Sequence, residues 1–203
     1  MIDTLKNPIL SRKFYIRPVV NVAKDLLGKV LIYKSGGGVF AARIIEVEAY
    51  DGKNDKASHS YNGKTKRNEV MFKEGGHFYI YFTYGAHFCC NVVTGKKNHG
   101  AAVLIRAVEP LLGISKMTEN RFGRELKSEK EFYNLTSGPG KVCKAFGFNK
   151  LNSGCDLTNG EIFIVDQPKL NRKKIGISKR IGITKSVSLP WRFFELDNPH
   201  LSR

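Results

Sequence analysis

The sequence predicts an α+β fold: a single domain with a curved, mostly antiparallel β-sheet, flanked by helices and carrying a protruding β-hairpin. Three observations predict it. Apolar runs rich in β-branched and aromatic residues flank short glycine turns, Ser35-Gly36-Gly37-Gly38 and Tyr84-Gly85, as hairpin strands do. Helix signals cluster after these strand pairs, in the second half of the chain. Hydrophobic residues make up 41% of the 203 positions, enough to bury a core.

The elements follow in order. Residues 21–27 place Val22, Ala23, Leu26 and Leu27 at helical spacing, stopped by Gly28. Residues 29–33 read as a strand, residues 35–38 as a turn and residues 39–50 as the return strand. Residues 51–67 are a polar loop. Residues 78–82 and 87–93 are strands on either side of Tyr84-Gly85, and residues 101–108 form another, ended by Pro110. Two or three helices come next. One spans about 113–124; another is announced by Thr136-Ser137-Gly138-Pro139, with proline in its first turn, and stops near Gly147. Residues 161–165 are a strand, and the tail over 169–192 mixes basic and small residues. Neither a repeat nor a composition break divides the chain, so residues 1–203 are read as one domain, with 1–13 as a flexible N-terminal stretch.

Charge narrows the partner. Lysine and arginine number 34 against 18 acids, a net charge of +16. That balance favours a polyanion, nucleic acid before an anionic membrane surface. No stretch approaches the roughly 20 apolar residues of a membrane span, and residues 1–10 lack the pattern of a signal peptide. Cys89, Cys90, Cys143 and Cys155 match no zinc spacing. They read as reduced core thiols, consistent with a cytoplasmic setting.

Two constellations stand out. On the strand Arg43-Ile44-Ile45-Glu46-Val47-Glu48-Ala49-Tyr50, alternation puts Glu46, Glu48 and Tyr50 on one face, with Ile45, Val47 and Ala49 on the core side. Taken alone, such a polar face is more often solvated than catalytic, yet a carboxylate beside a basic cleft can activate water. The second is Gly75-Gly76-His77-Phe78-Tyr79-Ile80-Tyr81-Phe82-Thr83-Tyr84-Gly85. Core packing is the ordinary explanation for its aromatics, but a tyrosine at a hairpin tip, Tyr84, also suits a wedge pushed into a partner. The acid-free basic stretch over 169–185 and the helix start Gly138-Pro139-Gly140-Lys141 are candidates for phosphate contacts. A metal site from Glu46, Glu48, Asp51 and Asp55 has no diagnostic spacing.

With these residues in place, the chain resembles the alkyladenine (3-methyladenine) DNA glycosylase family, in its bacterial branch. The matching segments are Glu46-Val47-Glu48-Ala49-Tyr50, His59-Ser60, Arg67-Asn68, Tyr79-Ile80-Tyr81, Tyr84-Gly85, Asn91-Val92, Leu104-Ile105-Arg106-Ala107, Ser137-Gly138-Pro139-Gly140-Lys141 and Arg180-Ile181-Gly182-Ile183. They run in order over nearly the whole chain from about Phe14, whereas Leu189-Pro190-Trp191-Arg192 matches only loosely. The resemblance implies a repair enzyme that flips a damaged purine out of duplex DNA and hydrolyses its glycosidic bond. It implies that Glu48 activates the water and that Arg106 helps hold base and water. Tyr50, His59 and Tyr81 would line and stack on the flipped base, Asn91 would crowd the amino group of guanine, and Tyr84 would fill the gap in the helix. Arg67, Lys141, Arg180 and Lys185 are the candidates for the DNA backbone.

A cationic purine leaves readily, so the expected mechanism needs neither metal, cofactor nor Schiff-base lysine, and a monomer suffices. Two other readings remain: a metal-dependent nuclease using Glu46, Glu48, Asp51 and Asp55, and a non-catalytic nucleic-acid-binding module. Substrate choice among 3-methyladenine, 7-methylguanine, hypoxanthine and ethenoadenine is left open.

Overall fold

The computed structural model describes residues 6–83 and 85–202. Eight strands form one sheet: β1 (Val30–Ser35), β2 (Gly38–Asp51), β3 (Phe78–Thr83), β4 (His87–Thr94), β5 (Ala101–Leu112), β6 (Ile162–Val165), β7 (Ile175–Ser178) and β8 (Arg192–Glu195). The main path runs β3-β4-β5-β2-β1-β6, and β8 joins β2 while carrying β7. Every pairing is antiparallel. The helices are α1 (Arg12–Tyr15), α2 (Val19–Leu26), α3 (Ile114–Phe122), α4 (Glu129–Asn134) and α5 (Pro139–Phe146). This is the expected α+β architecture.

The long strand β2 organises the rest. Its first half pairs with β1 through Arg43, and its second half pairs with β8 over Glu46, Val47 and Glu48, while β5 follows the other edge. The sheet therefore changes partner at the two glutamates. The tail over 169–192, for which no element was expected, supplies β7, and β8 begins at its last residue, Arg192.

One side of the sheet holds the main core. Val22, Ala23 and Leu26 of α2 and Val142, Cys143, Ala145 and Phe146 of α5 pack there against Ile44, Val47, Val103 and Ile105. Cys89, Cys90 and Cys143 are buried free thiols. The helix α2 starts earlier than its apolar spacing indicates, because Pro18 precedes it as N-cap. The helix α5 begins at Pro139 and closes on Gly147 in the left-handed region, as read from the sequence.

Pro110 does not end β5. It lies beyond the part of β5 paired with β4, opposite Ala42, at an irregularity of register. There its missing N–H is tolerated. Within the N-terminal stretch expected to be flexible, residues 1–5 lie outside the described residues. Ile9 bridges Val165 and the Leu10 N–H donates to the Ile164 carbonyl at 2.8 Å, so residues 9 and 10 are tied to β6.

Candidate active site

The pairing of β2 with β5 shifts register between Ile44 and Glu46 and again between Glu46 and Val47. Ile45 and Arg106 are the residues left without partners. Bulges of this kind re-aim side chains and concentrate near functional sites. Here they bring the Arg106 side chain onto the face that carries Glu46 and Glu48.

That face is not solvated. Glu46 and Glu48 have no exposed area, and Arg106 retains only 7%. The strand β8, the segment around Ile181 and the end of the described chain cover them. Glu48 Oε1 accepts from the Ile181 N–H at 2.7 Å and lies 3.3 Å from Arg106 Nη1. Its Oε2 accepts from the Tyr50 hydroxyl at 2.8 Å. Glu46 Oε1 accepts from Arg106 Nε at 2.9 Å, Arg192 Nε at 2.7 Å and the Ser202 hydroxyl at 2.7 Å. Its Oε2 accepts from the Ser202 N–H at 2.7 Å.

Burial alone would raise the Glu46 carboxyl. The Ser202 and Arg192 hydrogen bonds and the Arg106 charge outweigh it, so the group stays below its usual range. For Arg106, burial works against the charge, but Glu48 and Glu46 more than compensate and hold the guanidinium firmly protonated. Burial, then the Glu48 charge, raises Tyr50, so its hydroxyl remains a donor.

Beside this cluster opens a cavity of about 420 Å³. Tyr50, His59, Tyr79, Tyr81, Asn91 and Arg106 are among its lining residues, and the segment from Ile181 to Lys185 forms another wall. The His59 and Tyr81 rings meet edge to face at 4.4 Å, and Tyr79 and Tyr81 lie 5.6 Å apart. His59 Nδ1 and the Tyr79 hydroxyl are 3.2 Å apart. His59 is open to the cavity mouth, yet desolvation of its ring, followed by the Arg67 charge, keeps the imidazole below its ordinary pKa. Burial pushes Tyr79 up to about 12 and raises Tyr81 as well. The wall is therefore neutral and aromatic. Asn91 Nδ2 donates to the Tyr79 carbonyl at 3.0 Å, which fixes its carboxamide.

The structure thus brings Glu48, Arg106, Tyr50, His59, Tyr81 and Asn91 together. Arg67 is exposed near β3, its Nη2 donating to the Phe82 carbonyl at 3.4 Å. Lys141 sits at α5 with its ammonium on Asn134 Oδ1 and, at 3.2 Å, on Ser137 Oγ. Lys185 is exposed at the cavity. Tyr84 lies outside the described residues. Arg180 does not face solvent as a phosphate contact would. Its guanidinium is buried, donates to Asp55 Oδ2 at 2.5 Å and Oδ1 at 2.7 Å, and lies 4.5 Å from the Tyr50 ring centre.

Sequence reading missed Asp55 as the partner of Arg180, Ser202 as the partner of Glu46, and the Ile181 N–H as a donor to Glu48. None carries a local signal, because each pairs across more than a hundred positions. The four carboxylates considered for a nuclease do not converge. Glu46 and Glu48 belong to the arginine cluster, Asp55 holds Arg180 and Asp51 faces His99. Among the described residues, no group of three His, Cys, Asp or Glu side chains is arranged to hold a metal ion. Nor, among them, is any helix long and apolar enough to cross a membrane.

Comparison with known proteins shows the family. The family model for methylpurine-DNA glycosylase matches residues 13–199. A relative from Alkaliphilus oremlandii (strain OhILAs) is 46% identical over 200 residues, covering 96% of this chain and 98% of its own. One from Carboxydothermus hydrogenoformans is 45% identical over 196 residues, with 96% and 99% covered. A third, from Clostridium novyi (strain NT), is 42% identical over 200 residues, with 96% and 98% covered. All three bear the name "Putative 3-methyladenine DNA glycosylase". A match of that extent leaves no part of the sheet or the glutamate–arginine cluster outside it, and the chain belongs to the methylpurine-DNA glycosylase family.

Proposed function

We propose that this DNA repair glycosylase acts on duplex DNA as a monomer, rotates a damaged purine into the aromatic cavity and hydrolyses its glycosidic bond with water activated by Glu48. The observation that carries the reading is the placement of Glu48. It is a fully buried carboxylate held by Tyr50, Arg106 and the Ile181 N–H, three groups whose residues also line the cavity. A cavity of about 420 Å³ falls within the usual range of small-molecule sites.

The chemistry follows from charge. An alkylated purine is cationic, and neutral aromatic rings attract cations. Tyr50, Tyr81 and His59 supply such rings. As the bond from C1′ to the purine nitrogen breaks, its electron pair stays with the base, which leaves neutral, and the sugar becomes positively charged. Glu48 stabilises that charge and accepts a proton from the water whose oxygen bonds to C1′. Arg106 orients the carboxylate. Asn91 narrows the cavity against the exocyclic amino group of guanine. Tyr84 takes the place of the extruded nucleotide, which offsets a few kcal/mol of lost stacking. Arg67, Lys141 and Lys185 are the phosphate contacts; Arg180 serves instead behind Tyr50.

The substrates are 3-methyladenine and 7-methylguanine, with hypoxanthine and ethenoadenine, neutral bases that must take up a proton from solvent as the bond breaks, as further members of the set, and the working compartment is the cytoplasm. Chromatography of products from methylated and inosine-containing duplexes tests the function. Free base released in the presence of EDTA, with no borohydride-trapped enzyme–DNA adduct, is expected. A cut backbone that EDTA abolishes, a trapped adduct, or binding with no released base would each overturn it.

A further inference from the structure

Glu48 and Arg106 use little of the buried polar cluster. Glu46 receives four hydrogen bonds and is as inaccessible as Glu48, yet the proposed chemistry assigns it no part. Ser202 is 8% exposed, and its hydroxyl donates to Glu46 Oε1 at 2.7 Å while accepting from Arg106 Nη2 at 3.1 Å. Two of the three guanidinium nitrogens of Arg106 are therefore occupied by one Glu46–Ser202 unit. The third, Nη1, lies 3.3 Å from Glu48 Oε1 as an ion-pair contact.

We propose that Glu46 and Ser202 are positioning residues that hold Arg106 edge-on to Glu48, so that the arginine orients the carboxylate without capturing both of its oxygens. The inference rests on the reading of Glu48 as the base. A guanidinium presents its donors in a rigid planar fork and binds carboxylates bidentately when free to do so. Released from Glu46, Arg106 would turn that fork onto Glu48 and compete with Tyr50 and with the attacking water. With Nε and Nη2 engaged, only the Nη1 edge reaches Glu48. Arg192 completes the unit, donating from Nε to Glu46 at 2.7 Å and from Nη1 to Ser178 Oγ at 3.0 Å. That leaves the carboxylates of Glu46 and Glu48 balanced by the two guanidinium groups. The last described residues thereby reach into the site, through a contact 156 positions apart.

Single-turnover base release and equilibrium binding to a duplex carrying an uncleavable 2′-fluoro nucleotide test this. Ser202→Ala removes the hydroxyl but keeps the N–H that donates to Glu46 Oε2. We expect release to slow about tenfold or more, the scale on which misplacing a reacting group acts, with Kd changed less than twofold. Ser202→Thr should restore the rate. Because both residues act through one arginine, Glu46→Gln combined with Ser202→Ala should be no slower than the slower single variant. Wild-type release from Ser202→Ala, binding that falls in step with release, or failure of threonine to restore the rate would overturn the proposal. Glu48→Gln, run alongside, separates the two readings. If it releases base normally, the site reading fails and the positioning role with it. If it is inactive while Ser202→Ala is normal, the positioning role alone fails.

Discussion

Arg180 carries its guanidinium into a space with no exposed side-chain area, where Asp55 meets it with both carboxylate oxygens. Arg106 is paired with Glu46 at 2.9 Å and Glu48 at 3.3 Å, and Arg192 with Glu46 at 2.7 Å. Buried ions are tolerated when each has a partner, and removing one partner strands the other. Arg180 also backs Tyr50 and precedes Ile181, the residue whose N–H holds Glu48. Asp55→Asn should therefore lower unfolding free energy by about 3 kcal/mol, measured by urea denaturation at neutral pH. A loss under about 1 kcal/mol, the size of an exposed pair, would show that the buried pair is not a support of the cavity wall. A residue's type at its own position suggested none of this: Arg180 was legible as a basic residue in a basic stretch, and only the fold turns it inward.

Glycines bound helices in different circumstances, as α3 shows. Gly113 at its start and Gly123 at its end both have left-handed backbones, with φ of 79° and 66°. A Cβ on Gly113 would lie 2.8 Å from the Val39 carbonyl oxygen, whereas one on Gly123 would meet nothing within 4 Å. Gly123→Ala should cost about 1 kcal/mol, the conformational term alone. Gly113→Ala should cost at least 1 kcal/mol more, because backbone rather than a side chain must yield. Urea midpoints of the two variants check this, and equal losses would contradict it. At this scale, apolar spacing made α2 legible, the Pro139 and Gly147 signals made α5 legible, and β-branched runs beside glycine turns did the same for most strands, whose apolar faces pack on one core. Local pattern could not show that Pro110 lies inside β5, since only pairing decides where a missing N–H is harmless. Nor could it show β7 and β8, four residues each, whose pairing partners are the tail and β2. The glutamate face looked solvated for the same reason: its cover comes from the tail.

Over the whole molecule, the net charge of +16 and the buried cluster have separate tasks. Surface lysines and arginines attract phosphates without regard to sequence, as a search for damage along DNA requires. The site itself holds matched charges and neutral aromatic walls, so on the proposed reading discrimination is by the charge and shape of the base. On the proposed reading one buried carboxylate, Glu48, performs the hydrolysis while the rest of the chain binds and positions DNA. Glu48→Gln keeps the size and most hydrogen-bonding capacity of the side chain while removing the base. Its single-turnover release of 3-methyladenine, set beside its Kd for the uncleavable duplex, tests that claim most directly. Release slowed by about 10²-fold or more is expected, with Kd within about threefold of wild type. Release within threefold of wild type, or a loss of binding as large as the loss of rate, would contradict it.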